Sequence, residues 1–153
     1  MCAYGAFDLL HPGHTRLFEQ ARDFGEILAV AVQSDDMVRR GKACVLGDGA
    51  LRMDRTERPV TPAAERAEIV AALSSVDLAA VVDETLSEFL TKFRPDAFVC
   101  GNEGGDESVD LDRNPAADLE SILTEIGCKL VRLPLEPGFS TTRLIERISG
   151  HSA

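Results

Sequence analysis

The chain has 153 residues, of which 44% are hydrophobic and 27% charged, and its formal net charge is −10. That length and mixture predict a single folded domain over residues 1–150, large enough to bury a layered core. The acidic balance excludes a generic nucleic-acid binder, which needs a basic face, and the lack of an apolar run of about 18 residues or a basic-then-apolar leader predicts no membrane span and a cytoplasmic protein.

The first strand is expected over about residues 2–6, where a short apolar start runs into Gly5, and a compact turn follows. His11 and His14 follow with Pro12 and Gly13 between them, and then a helix-like run over 14–24. Pro12 suits an early helical position, where its missing N–H is no loss. Ile27–Val32 is a continuous apolar run with β-branched residues, expected as a buried parallel strand. Ser34 or Asp35 is placed to cap a short helix through Met37–Arg40. Residues 41–59 read as a long irregular segment holding four basic residues, Lys42, Arg52, Arg55 and Arg58; a loop of that length is usually functional.

Thr61-Pro62-Ala63-Ala64-Glu65 reads as a helix start with a Thr cap, the helix running to Leu73 with Ile69, Val70 and Leu73 inward. A strand is expected over 76–82, a helix over 85–93 with Leu86, Phe89 and Leu90 inward, and a strand over 97–100 after the Pro95-Asp96 break. A polar loop then spans 101–114. Pro115 opens a helix ended by Gly127, a last strand covers 128–133, and Ser140–Thr142 lead into a final helix over 143–148. Strands alternating with helices predict a three-layer α/β fold: a five-stranded parallel sheet covered on both faces. The loops leaving the carboxyl ends of its strands converge on one cleft.

Those loops carry His11 and His14, Asp35 and Lys42, Gly101 and Asn102, and Ser140, Thr141 and Thr142. A helix start offers free N–H groups and the positive end of a dipole, which attract phosphate, and two imidazoles add donors. The plainer roles are a cap or a half-buried filler for the histidines, a solvated loop residue for Lys42, and simple capping for Ser140–Thr142. No Ser or Cys neighbours the histidines in sequence and there is no GxSxG elbow, so covalent catalysis is not expected. No third ligand accompanies the histidine pair, so no metal site of the protein's own is expected. Four scattered cysteines (Cys2, Cys44, Cys100, Cys128) read as reduced thiols.

The stretch Gly5-x-Phe7-Asp8-x-x-His11-x-Gly13-His14 resembles the GxFDxxHxGH opening of the HxGH nucleotidyltransferase superfamily, cytidylyltransferase-like branch. Met37–Lys42, the segment Arg58-Pro59-Val60-Thr61-Pro62 with Glu65-Arg66, and Gly138-x-Ser140-Thr141-Thr142 resemble further elements of the same family. The resemblance implies the Rossmann-like HxGH fold and transfer of a nucleotidyl group from a Mg²⁺-bound nucleoside triphosphate to a phosphorylated small-molecule acceptor. It implies catalytic roles for His11, His14 and Lys42. It implies nucleotide contacts from Phe7, Asp8, His11, His14, Arg66, Gly101, Asn102, Ser140, Thr141 and Thr142, with Asp8 orienting the turn or the acceptor. For Arg66 the other reading is a surface salt bridge of little worth. Dimerisation is common in the resembled family.

Three features depart from the pattern. Cys100 stands where the family often has a lysine, and reads as a small buried hydrophobe. The segment between Lys42 and Arg58 is longer than usual. Leu135-Glu136-Pro137 replaces the arginine that many cytidylyltransferases carry before GxSTT. The resemblance is strongest to the adenylyltransferase domain of bifunctional heptose-phosphate enzymes, which implies ATP and a sugar 1-phosphate as substrates. The rivals are CTP with a polyol phosphate, alcohol phosphate or phosphonate, and a non-catalytic nucleotide-binding protein. A dinucleotide-binding module is disfavoured by the absence of GxGxxG from the first turn.

Overall fold

A computed structural model describes residues 1–41, 43–45, 51–53, 58–102, 116–134 and 138–148. Five strands form one parallel sheet: β1 (Cys2–Gly5), β2 (Ala29–Gln33), β5 (Leu78–Val82), β6 (Ala97–Asn102) and β7 (Lys129–Pro134), in the order β5-β2-β1-β6-β7. Cys2 stands beside Ala29 on one side and Phe98 on the other. The chain therefore winds outward from β1 through β2 to β5, then crosses back to add β6 and β7. The strand order reverses between β1 and β6, and ligands of such sheets bind beyond the carboxyl ends at that place.

Side-chain alternation along the strands divides the core in two. On one face Ala3, Val30, Val32, Val99, Val131 and Leu133 pack with Phe18 and Ala21 of α1 (Pro12–Ala21) and Val70 of α3 (Ala63–Ala71). On the other, Cys2, Ala29, Phe98 and Cys100 pack with α4 (Leu86–Phe93) through Leu86 and Leu90, and with α5 (Ala116–Ile126) through Leu119 and Leu123. Each fully buried Leu or Phe contributes about 1.5–3 kcal/mol. Cys100 is the small buried hydrophobe expected, and burial raises its thiol pKa.

Local signals set the helix ends. In α4, Thr85 Oγ1 accepts from Glu88 N at 3.2 Å while Thr85 N donates to Glu88 Oε2 at 3.0 Å, a reciprocal capping box. In α5, Gly127 takes φ 69°, and Cys128 N donates to Leu123 O at 2.8 Å, closing a Schellman motif. Ser34 Oγ accepts from Met37 N at 3.1 Å, which makes Ser34 the cap of α2 (Asp35–Gly41).

Several expectations need correction. The segment expected to be irregular contains the end of α2 and an antiparallel ribbon, β3 (Ala43–Val45) with β4 (Leu51–Met53), Cys44 opposite Arg52. Helix α1 starts at Pro12 rather than 14 and gives way to a 3₁₀ turn at Arg22–Phe24. Thr61 does not cap α3: Pro62 holds that position and its carbonyl accepts from Arg66 N at 3.0 Å. Of the residues expected inward on α3, Val70 is fully buried and Leu73 half-buried, but Ile69 is 49% exposed. The inward position one turn before Val70 is filled by Arg66, not by an apolar residue. Among the described residues strand β5 pairs only with β2, at the end of the strand order, and Leu78 and Val81 are exposed. The expected roles of Lys42, of the loop residues 103–114 and of the 135–137 replacement fall outside the described residues, as do the side chains of Asn102 and Thr142. Among the described residues no helix is long and apolar enough to cross a membrane. The final helix, α6, covers Thr141–Ile148.

Candidate active site

The turn from β1 into α1 places two non-glycine residues in the left-handed region, Phe7 at φ 49° and Leu9 at φ 50°. That conformation costs about 1–2 kcal/mol per residue. Asp8, between them, holds the turn in place. Its carboxylate is 1% exposed by residue and accepts from the backbone N–H groups of Val60 and Thr61 at 3.1 Å and from Arg58 Nε at 3.3 Å. Its carbonyl accepts from Thr141 Oγ1 at 2.8 Å. Hydrogen bonds to a charged group contribute about 1.5–3 kcal/mol each, so this set outweighs the strain. The Phe7 ring packs against Phe18 at 5.1 Å and edge-on to His14 at 5.6 Å between centroids.

The two histidines meet at the helix start. Their rings stack with centroids 3.8 Å apart and planes 18° from parallel. His11 is the N-cap of α1, with extended backbone, and Pro12 follows at the first helical position. His11 N donates to His14 Nδ1 at 3.4 Å, which leaves the ring hydrogen of a neutral His14 on Nε2. Burial, the neighbouring His11 ring and the Arg58 guanidinium together push the His14 pKa down to about 3, against an opposing pull from Asp8. Burial also lowers His11. Both shifts favour the neutral imidazole at pH 7, and the two rings stand beside the N-terminus of α1. His11 Nδ1 is buried without a hydrogen-bond partner among the described residues. Gly13 is needed at its place: a Cβ there would stand 3.0 Å from the His11 ring and 3.4 Å from Phe139 Cβ.

Arg66 is 1% exposed, which overturns the surface-salt-bridge reading. Its Nε donates to Thr61 O at 2.8 Å, its Nη2 to Asp35 Oδ1 at 2.6 Å, and its Nη1 to Ala6 O. One guanidinium thereby ties together the exit of β1, the start of α2 and the approach to α3. Ser140 Oγ accepts from Arg143 N at 3.2 Å, the capping role weighed for it.

The structure thus brings Phe7, Asp8, His11, His14, Arg66 and Thr141 into one bonded or packed constellation at the carboxyl end of β1. Ser140 stands next to it in the chain. Gly101 and Asn102 end β6, the strand that neighbours β1 across the reversal of strand order. Two further participants are not obvious in the sequence. Arg58 reads as one of several basic loop residues, yet its side chain is 8% exposed and pairs with Asp8. Phe139 is the unspecified position of Gly-x-Ser-Thr-Thr, yet its ring lies beside His11. Among the described residues no group of three or more His, Cys, Asp or Glu is placed to hold a metal ion.

A parallel sheet of this strand order, with a stacked histidine pair at the turn leaving β1 beside the switch point, fits a nucleotidyltransferase. The chain belongs to the cytidylyltransferase-like family, whose model matches residues 2–147. It is 41% identical over 150 residues to the "Bifunctional protein HldE" of Streptomyces coelicolor, an alignment covering 96% of this chain and 28% of that protein. The protein of the same name from Koribacter versatilis is 40% identical over 149 residues, covering 96% of this chain and 26% of that one. The chain therefore spans about a quarter of the length of these relatives. In fold it is similar to the crystal structure of the lipopolysaccharide core biosynthesis protein from Thermoplasma volcanium GSS1, with a TM-score of 0.59 at 22% identity over 88% of this chain and 93% of that one.

Proposed function

We propose that this nucleotidyltransferase moves AMP from ATP to a sugar 1-phosphate of the heptose type and releases pyrophosphate. The observation that carries the reading is the stacked, neutral His11–His14 pair at the N-terminus of α1, beside the switch point of the sheet. The alignment with bifunctional HldE proteins across nearly the whole chain supports nucleotidyl transfer, and the adenylyl and heptose assignments rest on the resemblance of the sequence motifs. An oxygen of the acceptor phosphate attacks the α-phosphorus of ATP, and the bond to the pyrophosphate leaving group breaks. Such a step asks for positioning and charge stabilisation rather than covalent help.

In this reading His11 and His14 donate to the triphosphate as charge builds on it. The Phe7 backbone and the α1 N-terminus hold phosphate oxygens, and Asp8 fixes the turn that presents them. Lys42 adds a cation from beyond α2. Gly101 and Asn102 line the nucleotide from the end of β6. Ser140 keeps its hydroxyl hydrogen to donate while its oxygen caps α6, and Thr141 and Thr142 complete that side. Arg66 acts through the protein groups it binds, as a positioning residue. Mg²⁺ enters with the triphosphate, as part of the substrate.

The test is acceptor-dependent pyrophosphate release with each of ATP, CTP, GTP and UTP against heptose 1-phosphate, other sugar 1-phosphates, glycerol 3-phosphate and small phosphonates. Release with ATP and a sugar 1-phosphate supports the reading. Release only with CTP moves the assignment to a cytidylyltransferase, which the family's description favours as the second reading. Nucleotide binding with no release across the panel counts against both.

A further inference from the structure

We infer that Phe139 is a positioning residue for His11, closing the outer side of the imidazole so that it stays stacked on His14 and screened from water. Its kinetic consequence rests on the nucleotidyl-transfer reading above; its structural consequence does not.

The Phe139 ring lies 20° from parallel to the His11 ring with centroids 6.5 Å apart, and the His11 ring is in turn 18° from parallel to His14 at 3.8 Å. Phe139 belongs to neither core cluster and is 41% exposed, so its place is not explained by burial in the core. What holds it is the site itself. Its Cβ comes so near the α1 backbone that a Cβ on Gly13 would stand 3.4 Å from it. The Arg16 guanidinium lies 5.7 Å from its ring centroid, a cation–π contact. Two residues further along the chain, Thr141 Oγ1 bonds the Asp8 carbonyl. The approach to α6 is thus pinned to the first turn at both Asp8 and His11, with Phe139 as the side chain reaching the imidazole. An exposed aromatic kept against a half-buried imidazole by a glycine gap and a cation is a cover with a stake in the ring beneath it. Among the described residues, the charged and titratable groups around His11 are His14 on its own helix, Arg16 across the Phe139 ring, and Arg58 and Asp8 near His14.

The experiment uses the ligand-free chain and three variants, Phe139→Ala, Phe139→Leu and Phe139→Tyr, with each histidine ring followed by NMR across pH. Burial is the principal cause that lowers His11, so uncovering it is expected to move its titration up toward 6.5 in the Ala variant, and part of the way in the Leu variant, while His14 stays low and the Tyr variant titrates like wild type. In turnover, Phe139→Ala is expected to lose about tenfold or more in kcat with KM for ATP within about twofold, and Phe139→Tyr to recover most of it. A His11 titration unmoved in both the Ala and Leu variants overturns the inference. So does an Ala variant whose KM rises with kcat intact, since that would make Phe139 a binding surface and not a positioning one. If the wild-type chain transfers no nucleotide, the titration alone still decides.

Discussion

In the proposed role His14 has two demands to meet, and its surroundings suit both. A donor that stabilises a growing negative charge must keep its hydrogen on the outward nitrogen, and the backbone N–H of His11 holds His14 Nδ1 as an acceptor. The same burial makes protonation unfavourable, with a folded-state pKa of about 3 against an ordinary 6.5. Below pH 6.5 the unfolded chain takes up a proton that the folded chain refuses until about 3, so His14 makes stability fall as pH drops through that window. Its share of the slope is up to about 1.4 kcal/mol per pH unit. Urea unfolding of wild type and His14→Gln between pH 4 and 7.5 should therefore show curves that converge as pH falls; parallel curves would contradict the assigned burial. Asp8 gives a second prediction. Its removal in Asp8→Ala leaves the Arg58 guanidinium and two amides without their acceptor. A loss of about 3–5 kcal/mol in denaturant unfolding is expected, with the first turn disordered and turnover lost.

Single elements separate the parts that hold the fold from the parts that hold the site. The α5 terminus lies at the amino end of β7, whereas the histidines follow the carboxyl end of β1, at the opposite end of the parallel strands. Gly127 sits there at φ 69° with open space around its Cα. Gly127→Ala is expected to cost about 1 kcal/mol through backbone strain alone and to leave kcat and KM unchanged. A change in turnover beyond about twofold would show that this end of the sheet is coupled to the site. Helix α3 is the contrary case, because Arg66 on its buried face reaches Ala6, Thr61 and Asp35. Arg66 also shows where sequence reasoning stops. An arginine four residues before Val70 has the spacing of a buried stripe, but its residue type places it on the surface, and its burial is made possible by three acceptors, two of them on distant segments. Thr61 is similar: its fitness as a cap is plain in the sequence, while its amide is claimed by Asp8, 53 residues away. The β3–β4 ribbon has strands of three residues each, too short to show alternation.

Across the whole molecule, the order of the five sheet strands and of the helices was legible because residues 27–32 are an unbroken apolar run and the starts of α1, α3 and α4 carry Pro or Thr–Glu signatures. The meeting of the two histidines at the start of α1 was legible too, since they bracket Pro and Gly just after a strand. What remained hidden is the fastening between loops: Asp8 to the 58–61 segment, Thr141 back to Asp8, Phe139 beside His11. These contacts join residues far apart in the chain and depend on side chains that serve equally well on a surface. The sheet order makes them possible by bringing every such loop to the carboxyl ends around the β1–β6 switch.

The most direct test of this account is the rate of acceptor-dependent pyrophosphate release from ATP by His14→Ala at saturating substrates, alongside its thermal unfolding at pH 7.5. Removal of a donor used in the transition state should lower kcat by about a hundredfold or more while the chain stays folded. A folded variant turning over within a few-fold of wild type would take His14, and with it the stacked pair, out of the chemistry.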